Sequence, residues 1–365
     1  MKTIVSPFVD IAMVVVPFMV ATFALIVFGA LGVKEPLWAY LAFFVSFDVA
    51  HVWATAYLTY FDAASFRKRK WLYSIPIPAF FIGAFLLHLA SPTVFWSGVA
   101  YFAIVHFAKQ QYGFIAIYKA KYGERDPFDY KLDKFTLWTG AFGPVLIWHA
   151  QPRGQFDWWD NGERFLLKLP EQAQWVIAVI MVVCAFLYIA RQWQLYVQTR
   201  TFNFGKNLWM LASWISWTVG LMFADNLLVS AAFINLFHGL PFLVLVWRRG
   251  KTKYKERTKG FARWVFHKKN WLIFYGIIIA LALVEESAWD ALVWHTYTEQ
   301  WLGKKGIELS HLWLSLTVAA LSTPQLVHYF LDAFLWKFNK HNDDLPEALG
   351  FAPRTSEPFS KAEQA

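Results

Sequence analysis

Ten runs of apolar residues follow one another along the chain, at about 8–32, 36–60, 71–91, 93–118, 135–150, 172–190, 207–224, 226–247, 271–294 and 310–336. A hydrocarbon core about 30 Å thick takes roughly 20 helical residues to cross, and an open backbone cannot be satisfied inside it. The 135–150 run is short, and the 271–294 run carries Glu285 and Glu286 near its end. The pattern predicts an all-α fold, a polytopic transmembrane helical bundle of ten spans over residues 1–339. A polar, proline-containing cytoplasmic tail over 340–365 is expected to be disordered. The first run, after Ser6-Pro7, is too long for a cleavable leader and lacks a small-residue cleavage site, so it reads as the first span.

Charge placement agrees with ten crossings. Arg67-Lys68-Arg69-Lys70 follows the second run. Lys119, Lys121, Arg125, Lys131 and Lys134 follow the fourth, and Arg191, Arg200 and Lys206 follow the sixth. The most basic stretch, Arg248 to Lys269, follows the eighth. The loops between are short or mixed in sign: Lys34-Glu35, Ser91-Pro92, the loop of Asp157, Asp160 and Glu163, Asp225-Asn226, and Glu285 to Glu308. Positive charge on every second loop is what alternating crossings require, with both termini cytoplasmic. The expected location is a bacterial inner membrane. The net charge of +9 is thereby read as topology control, with anionic lipid headgroups as a second use of the 248–269 loop, and not as a nucleic-acid footprint.

Composition fits the same picture. Charged residues are 16% of the chain, where a soluble domain carries roughly a quarter, and 21 Trp, 36 Phe and 15 Tyr suit aromatic belts and lipid-facing helices. The one cysteine, Cys184, lies in an apolar run, which excludes disulfides, paired-cysteine redox chemistry and iron–sulfur ligation.

The chemistry lies in histidines placed within these runs. Ionisable groups in hydrocarbon cost a few kcal/mol each and are functional by default. His88 and His149 fall at the outer ends of the third and fifth runs, where interfacial water can satisfy an imidazole, and structural or interfacial roles are expected of them. His51, His106, His238 and His328 lie deeper. They precede the first basic residue of the following loop by 16, 13, 10 and 9 residues, which at 1.5 Å per residue is roughly 14–24 Å, near mid-membrane. All four sit on even-numbered spans, which run in one direction. Each has a polar companion at helical spacing: Asp48 with His51, Gln110 with His106, Asn235 with His238, and Asp332 with His328. The expectation is one metal site with His51, His106, His238 and His328 as ligands. Asp48 and Asp332 are ligands or orienters of ligating rings, and Gln110 and Asn235 are expected to bind the cofactor. Pro241 and Pro324 break helical hydrogen bonds beside His238 and His328, which suits a site lining and equally suits ordinary helix bending. Lys109, one turn from His106, is open to pairing with Asp48 or Asp332, to contact with a substrate headgroup, or to snorkelling.

Imidazole and carboxylate without thiolate suit iron, zinc, copper, nickel or manganese, and a dry, His-rich site with open positions is typical of non-haem iron. The leading expectation is Fe(II) in an oxygenase or related oxidoreductase that acts on a lipophilic small molecule, with an electron donor as a further partner. Two alternatives use the same residues: haem b held between paired histidines in a redox carrier, and a proton- or metal-coupled transporter. The histidine clusters of membrane desaturases are absent, as are HExxH, GxSxG and Walker motifs.

The strings Asp48-Val-Ala-His51-Val, His106-Phe-Ala-Lys-Gln-Gln-Tyr-Gly113, Phe237-His-Gly-Leu-Pro241 and His328-Tyr-Phe-Leu-Asp-Ala-Phe-Leu-Trp336 resemble those of uncharacterised bacterial His-rich polytopic membrane proteins. In site design the chain is distantly similar to the Brp/Blh carotene-cleaving dioxygenases, integral membrane proteins whose essential histidines come from several spans and bind iron. That likeness implies an iron oxygenase. The chain has more spans than that family and its motifs do not align with the family's residue by residue, so no site residue is carried over.

Overall fold

Each of the ten apolar runs folds as a helix. The computed structural model describes residues 2–30, 36–150, 168–223, 227–256 and 260–352, and no strand occurs among them. The loops around Lys34, Asp157 and Asp225, and the tail beyond Ala352, lie outside the described residues.

Helix α1 spans Pro7–Ala24 and runs on with π-helical pitch over Leu25–Ala30. Helix α2 spans Leu37–Leu58 and is π-helical over Leu41–Val49. Then come α3 (Pro76–Ala90), α4 (Pro92–Tyr122), α5 (Pro127–Ala150), α6 (Ala173–Thr199), α7 (Phe204–Met222), α8 (Leu227–Lys253), α9 (Trp271–Trp289) and α10 (His311–Leu335). Local chemistry sets their ends. The Ser6 hydroxyl accepts from the Val9 amide ahead of Pro7, and Ser91 does the same for Val94 ahead of Pro92, satisfying amides that a helix start leaves open. Gly123 ends α4 at φ 75°, a left-handed conformation that costs a residue without Cβ little.

Six of these helical segments are long and apolar enough to cross a membrane: α1, α2, α3 taken with the short helix before it (Lys70–Ala90), α6, α8, and α9 continued to Trp294. They make the chain a helical membrane protein. The other four fall short in apolarity because their polar residues point inward. Helix α4 buries His106, Gln111 and Lys119; α5 buries Asp129, Asp133 and His149; α7 buries Lys206, Ser213 and Ser216; α10 buries Ser315, Ser322 and His328. The outward faces are apolar instead. Val176, Val182 and Phe186 of α6 are 62–69% exposed, the inverse of a soluble surface and the arrangement that lipid demands.

Helix α3 packs along α10, α1 along α8, α6 along α5, and α7 against α4, α5 and α8. At the centre, α2 and α4 each touch both α8 and α10. These four neighbours form a ring, and they carry His51, His106, His238 and His328.

The basic loops are tied together by ion pairs within the chain. Lys206 reaches Glu124 at 2.7 Å, Arg191 reaches Asp129 at 2.6 Å, Lys253 reaches Asp62 at 3.3 Å, and Lys119 pairs with Asp133. Arg249 is 2% exposed and holds Asp344, Asn342 and the Leu335 carbonyl. Part of the 248–269 charge is therefore matched inside the protein and is not free for lipid headgroups. The Arg249 clamp also corrects the expected disorder from residue 340. A short helix α11 (Leu345–Ala348) packs on α8, with Leu345 fully buried and Leu349 3% exposed. Two apolar anchors and one buried guanidinium order this segment, which composition alone does not reveal.

Candidate metal centre

Inside the four-helix ring the imidazoles of His51, His106, His238 and His328 form a square. Ring centroids along its sides are 4.6 Å apart for His51–His238, 4.8 Å for His51–His328, and 5.0 Å for both His106–His238 and His106–His328. Neighbouring rings stand at 69–86° to one another. All four residues are buried, at 0–6% exposure, and one nitrogen from each falls within 4.8 Å of the other three. The histidines selected by depth and companion spacing are thus brought together.

The backbone brings them there through close approaches. Gly239 lies beside the Phe47 carbonyl of α2, where an added Cβ would stand 2.4 Å from that oxygen. Only glycine lets α8 and α2 come near enough for His238 Nε2 to reach His51 Nε2 at 3.0 Å. Gln110 donates to the His238 carbonyl at 2.8 Å and fixes α4 against α8. The π-helical pitch of α2 ends at Val49, just before His51, and such segments are often found at functional sites.

Hydrogen bonds orient the rings. His51 Nδ1 lies 3.2 Å from the Phe47 carbonyl. A carbonyl only accepts, so Nδ1 carries the proton and the Nε2 lone pair faces the centre. His328 Nδ1 is hydrogen-bonded to Thr55 Oγ1 at 2.8 Å, which leaves its Nε2 for the centre. The aspartates stand behind the rings. Asp48 Oδ1 is 3.8 Å from His51 Nδ1, Asp332 Oδ1 is 3.7 Å from His328 Nδ1, and Asp332 Oδ2 is 3.8 Å from His106 Nε2. Asp48 also accepts from Asn235 Nδ2 at 2.9 Å. Asn235 and Gln110 accordingly support the aspartate and the backbone of the ring. Lys109 is exposed and forms no ion pair with either aspartate among the described residues.

The donor set fits a metal ion. His106 Nε2 and His328 Nε2 are buried with no hydrogen-bond partner, and each such orphan costs about 1–3 kcal/mol. An ion turns those losses into bonds. At a metal–imidazole bond of about 2.0–2.1 Å, neighbouring ligand nitrogens sit about 3 Å apart and opposite ones about 4.2 Å. The His51–His238 separation already meets the first figure, and the 4.8 Å spread of the set is near the second. Aromatic rings enclose the square. Phe107 stacks on His238 at 3.8 Å, Tyr329 on His106 at 4.4 Å, and Phe242 meets His51 and His328 edge-on at 5.5 and 5.2 Å. Such a sheath keeps water out and strengthens electrostatics within.

Two cavities flank the square. The larger, about 510 Å³, reaches Asp48, Phe107, Asn235 and Tyr329, so it ends one side chain away from the imidazoles. The smaller, about 230 Å³, reaches His328 itself between Thr55, Pro324 and Val327.

His88 and His149 take the structural role among the two expected of them: His88 is buried and bonded to Ser315 at 2.8 Å, and His149 to Tyr101 at 2.7 Å and the Val145 carbonyl at 2.6 Å. They serve as buried links between helices. Thr55, Phe107 and Tyr329 were missed in the sequence reading, although Thr55 follows His51 by four residues and so shares its face. Thr55→Val, which keeps shape and removes the hydroxyl, is expected to weaken metal binding by about tenfold in chelator competition, with Thr55→Ser close to wild type.

No family model, curated protein or solved structure matches this chain. Fold and site together define a class, that of helical membrane proteins with a buried four-histidine group able to hold a metal ion.

Proposed function

We propose that the chain is a ten-span membrane protein of the bacterial inner membrane, with both termini cytoplasmic, that acts as a non-haem Fe(II) oxygenase or related oxidoreductase on a lipophilic small molecule. The observation that carries this reading is the square of four buried imidazoles, two of which present unpartnered Nε2 atoms. His51, His106, His238 and His328 would hold the ion. Bound iron would supply redox chemistry with dioxygen at neutral nitrogen ligands, with no thiolate to draw softer ions.

The chain's own residues do the rest. The Phe47 carbonyl holds the His51 ring with a lone pair facing inward, and the Thr55 hydroxyl holds His328 with its Nε2 facing inward. Asp48 and Asp332 stand near enough to balance the charge that a cation brings into this apolar interior. The 510 Å³ cavity has the size and largely apolar lining of small-molecule sites, and Phe107 and Tyr329 lie between an occupant and the imidazoles. A bare ion is favoured over haem because rings 4.6–5.0 Å apart on all four sides leave no slot for a macrocycle.

Detergent-purified protein supplied with Fe(II) is expected to bind one iron per chain without a Soret band. It should then incorporate label from ¹⁸O₂ into a component of a membrane-lipid extract. Metal-free protein of equal activity, or a haem spectrum, would overturn the reading.

A further inference from the structure

The larger cavity carries a charge and aromatic pattern that the metal reading does not use. Four carboxyls line it, Asp48, Glu285, Glu286 and Asp290, and no Lys, Arg or His among the described residues does. Glu286 and Asp290 are each 3% exposed. Glu285 accepts from Trp53 Nε1 at 2.6 Å, and Glu286 accepts from the Tyr40 hydroxyl. Asp290 is engaged in its own turn, accepting from the amides of Thr296 and Tyr297. The carboxyls left to meet an occupant are thus those of Glu285, Glu286 and Asp48, and carboxyls so buried hold a charge best with a cation beside them.

Two further features point to an occupant. The hydroxyls of Ser230 and Ser322, at 1% and 3% exposure, and Asp48 Oδ1 have no hydrogen-bond partner, and all three residues line this cavity. Beside the carboxylates the wall is made of aromatic faces. Trp96 lies 5.9 Å from Trp289 and 5.3 Å from Trp294, the latter two stack at 5.3 Å, and Tyr40 packs on Tyr297 at 5.1 Å. Hard cations such as Ca²⁺ need roughly six to eight oxygen ligands at close range, which a wall rich in indole does not offer. A large, weakly hydrated organic cation is suited to it, since aromatic faces and carboxylates both attract such a charge once water is excluded.

We propose that this cavity binds an organic ammonium ion, quaternary or tertiary, with its charged head among Glu285, Glu286, Trp96 and Trp289 and an apolar portion extending towards Phe107 and Tyr329. None of the head-group residues belongs to the histidine square, so the proposal stands whether or not the square holds iron.

The test uses the full chain in a neutral maltoside detergent, titrated calorimetrically with benzyltrimethylammonium. Saturable binding at one per chain is expected, with the uncharged isostere neopentylbenzene at least about tenfold weaker. The isosteric pair Glu285→Gln/Glu286→Gln should weaken the ammonium probe by a similar factor, and His51→Ala/His328→Ala should leave it within about twofold. Ser230→Lys, which places an ammonium of the protein's own in the cavity, should abolish binding and gives a second reading if the glutamine pair does not fold. The proposal is overturned by equal binding of the neutral isostere, by no saturable binding in a monodisperse preparation, by unchanged binding in both the glutamine pair and Ser230→Lys, or by displacement with millimolar Ca²⁺.

Discussion

His106→Ala combined with His328→Ala is expected to reduce the iron of the purified protein by an order of magnitude or more. The two residues share one side of the square, at a centroid distance of 5.0 Å, on helices α4 and α10. Their removal leaves the His51–His238 pair, which offers two ligands where a closed or catalytic site needs at least three. The fold is expected to survive, because the substitutions delete two unpartnered Nε2 atoms at the cost of packing and of the one Thr55–His328 hydrogen bond. Metal analysis of a monodisperse double variant provides the measurement. Iron at the wild-type level in that sample would show that the square is not the binding site.

Gly239→Ala is expected to lower stability by about 1–3 kcal/mol, the range for overpacking a tight interface, and to weaken metal binding at the same time. The new Cβ would meet the Phe47 carbonyl oxygen at 2.4 Å and its carbon at 2.9 Å. Both are helix backbone, so no side chain can swing aside. Relief has to come from moving α8 away from α2, which parts His238 from His51. Gly98→Ala is the matched control, since nothing lies within 4 Å of its added Cβ. Thermal unfolding and chelator competition on the two variants separate the effects. If Gly239→Ala matched Gly98→Ala in both, the close approach would carry no weight.

The helical class and the ten helices were legible because hydrophobic runs and basic loops are local properties of the chain. The four site histidines were legible for a related reason: distance to the next basic loop measures depth, and depth singled out His51, His106, His238 and His328 from ten histidines. Spacing also exposed Asp48 and Asp332, which stand against the rings at 3.7–3.8 Å. Lateral arrangement was not legible. That α2 and α4 each adjoin α8 and α10 depends on contacts across long separations, and Gly239 looks like any other glycine until Phe47 is placed beside it. Gln110 and Asn235 were read as binding a cofactor, whereas each serves a partner within the chain, the His238 carbonyl and Asp48. The order in residues 340–352 was hidden because its anchor, Arg249, is one of several basic residues near the end of α8 and nothing local marks it as buried. Glu285 and Glu286 were visible as charges in an apolar run, yet their use depends on Trp96, which is distant in sequence.

The ring of α2, α8, α4 and α10 also constrains the timing of biogenesis. His51, His106 and His238 leave the ribosome well before His328, so during insertion three lipid-embedded imidazoles wait for the helix that completes their enclosure. If the square holds a metal, an ion arriving before that moment would meet an open trough, and one arriving afterwards would have to pass through one of the flanking cavities. Arg249 fastens the segment after α10 against α8, so the residues that follow the fourth helix of the ring close back on the third.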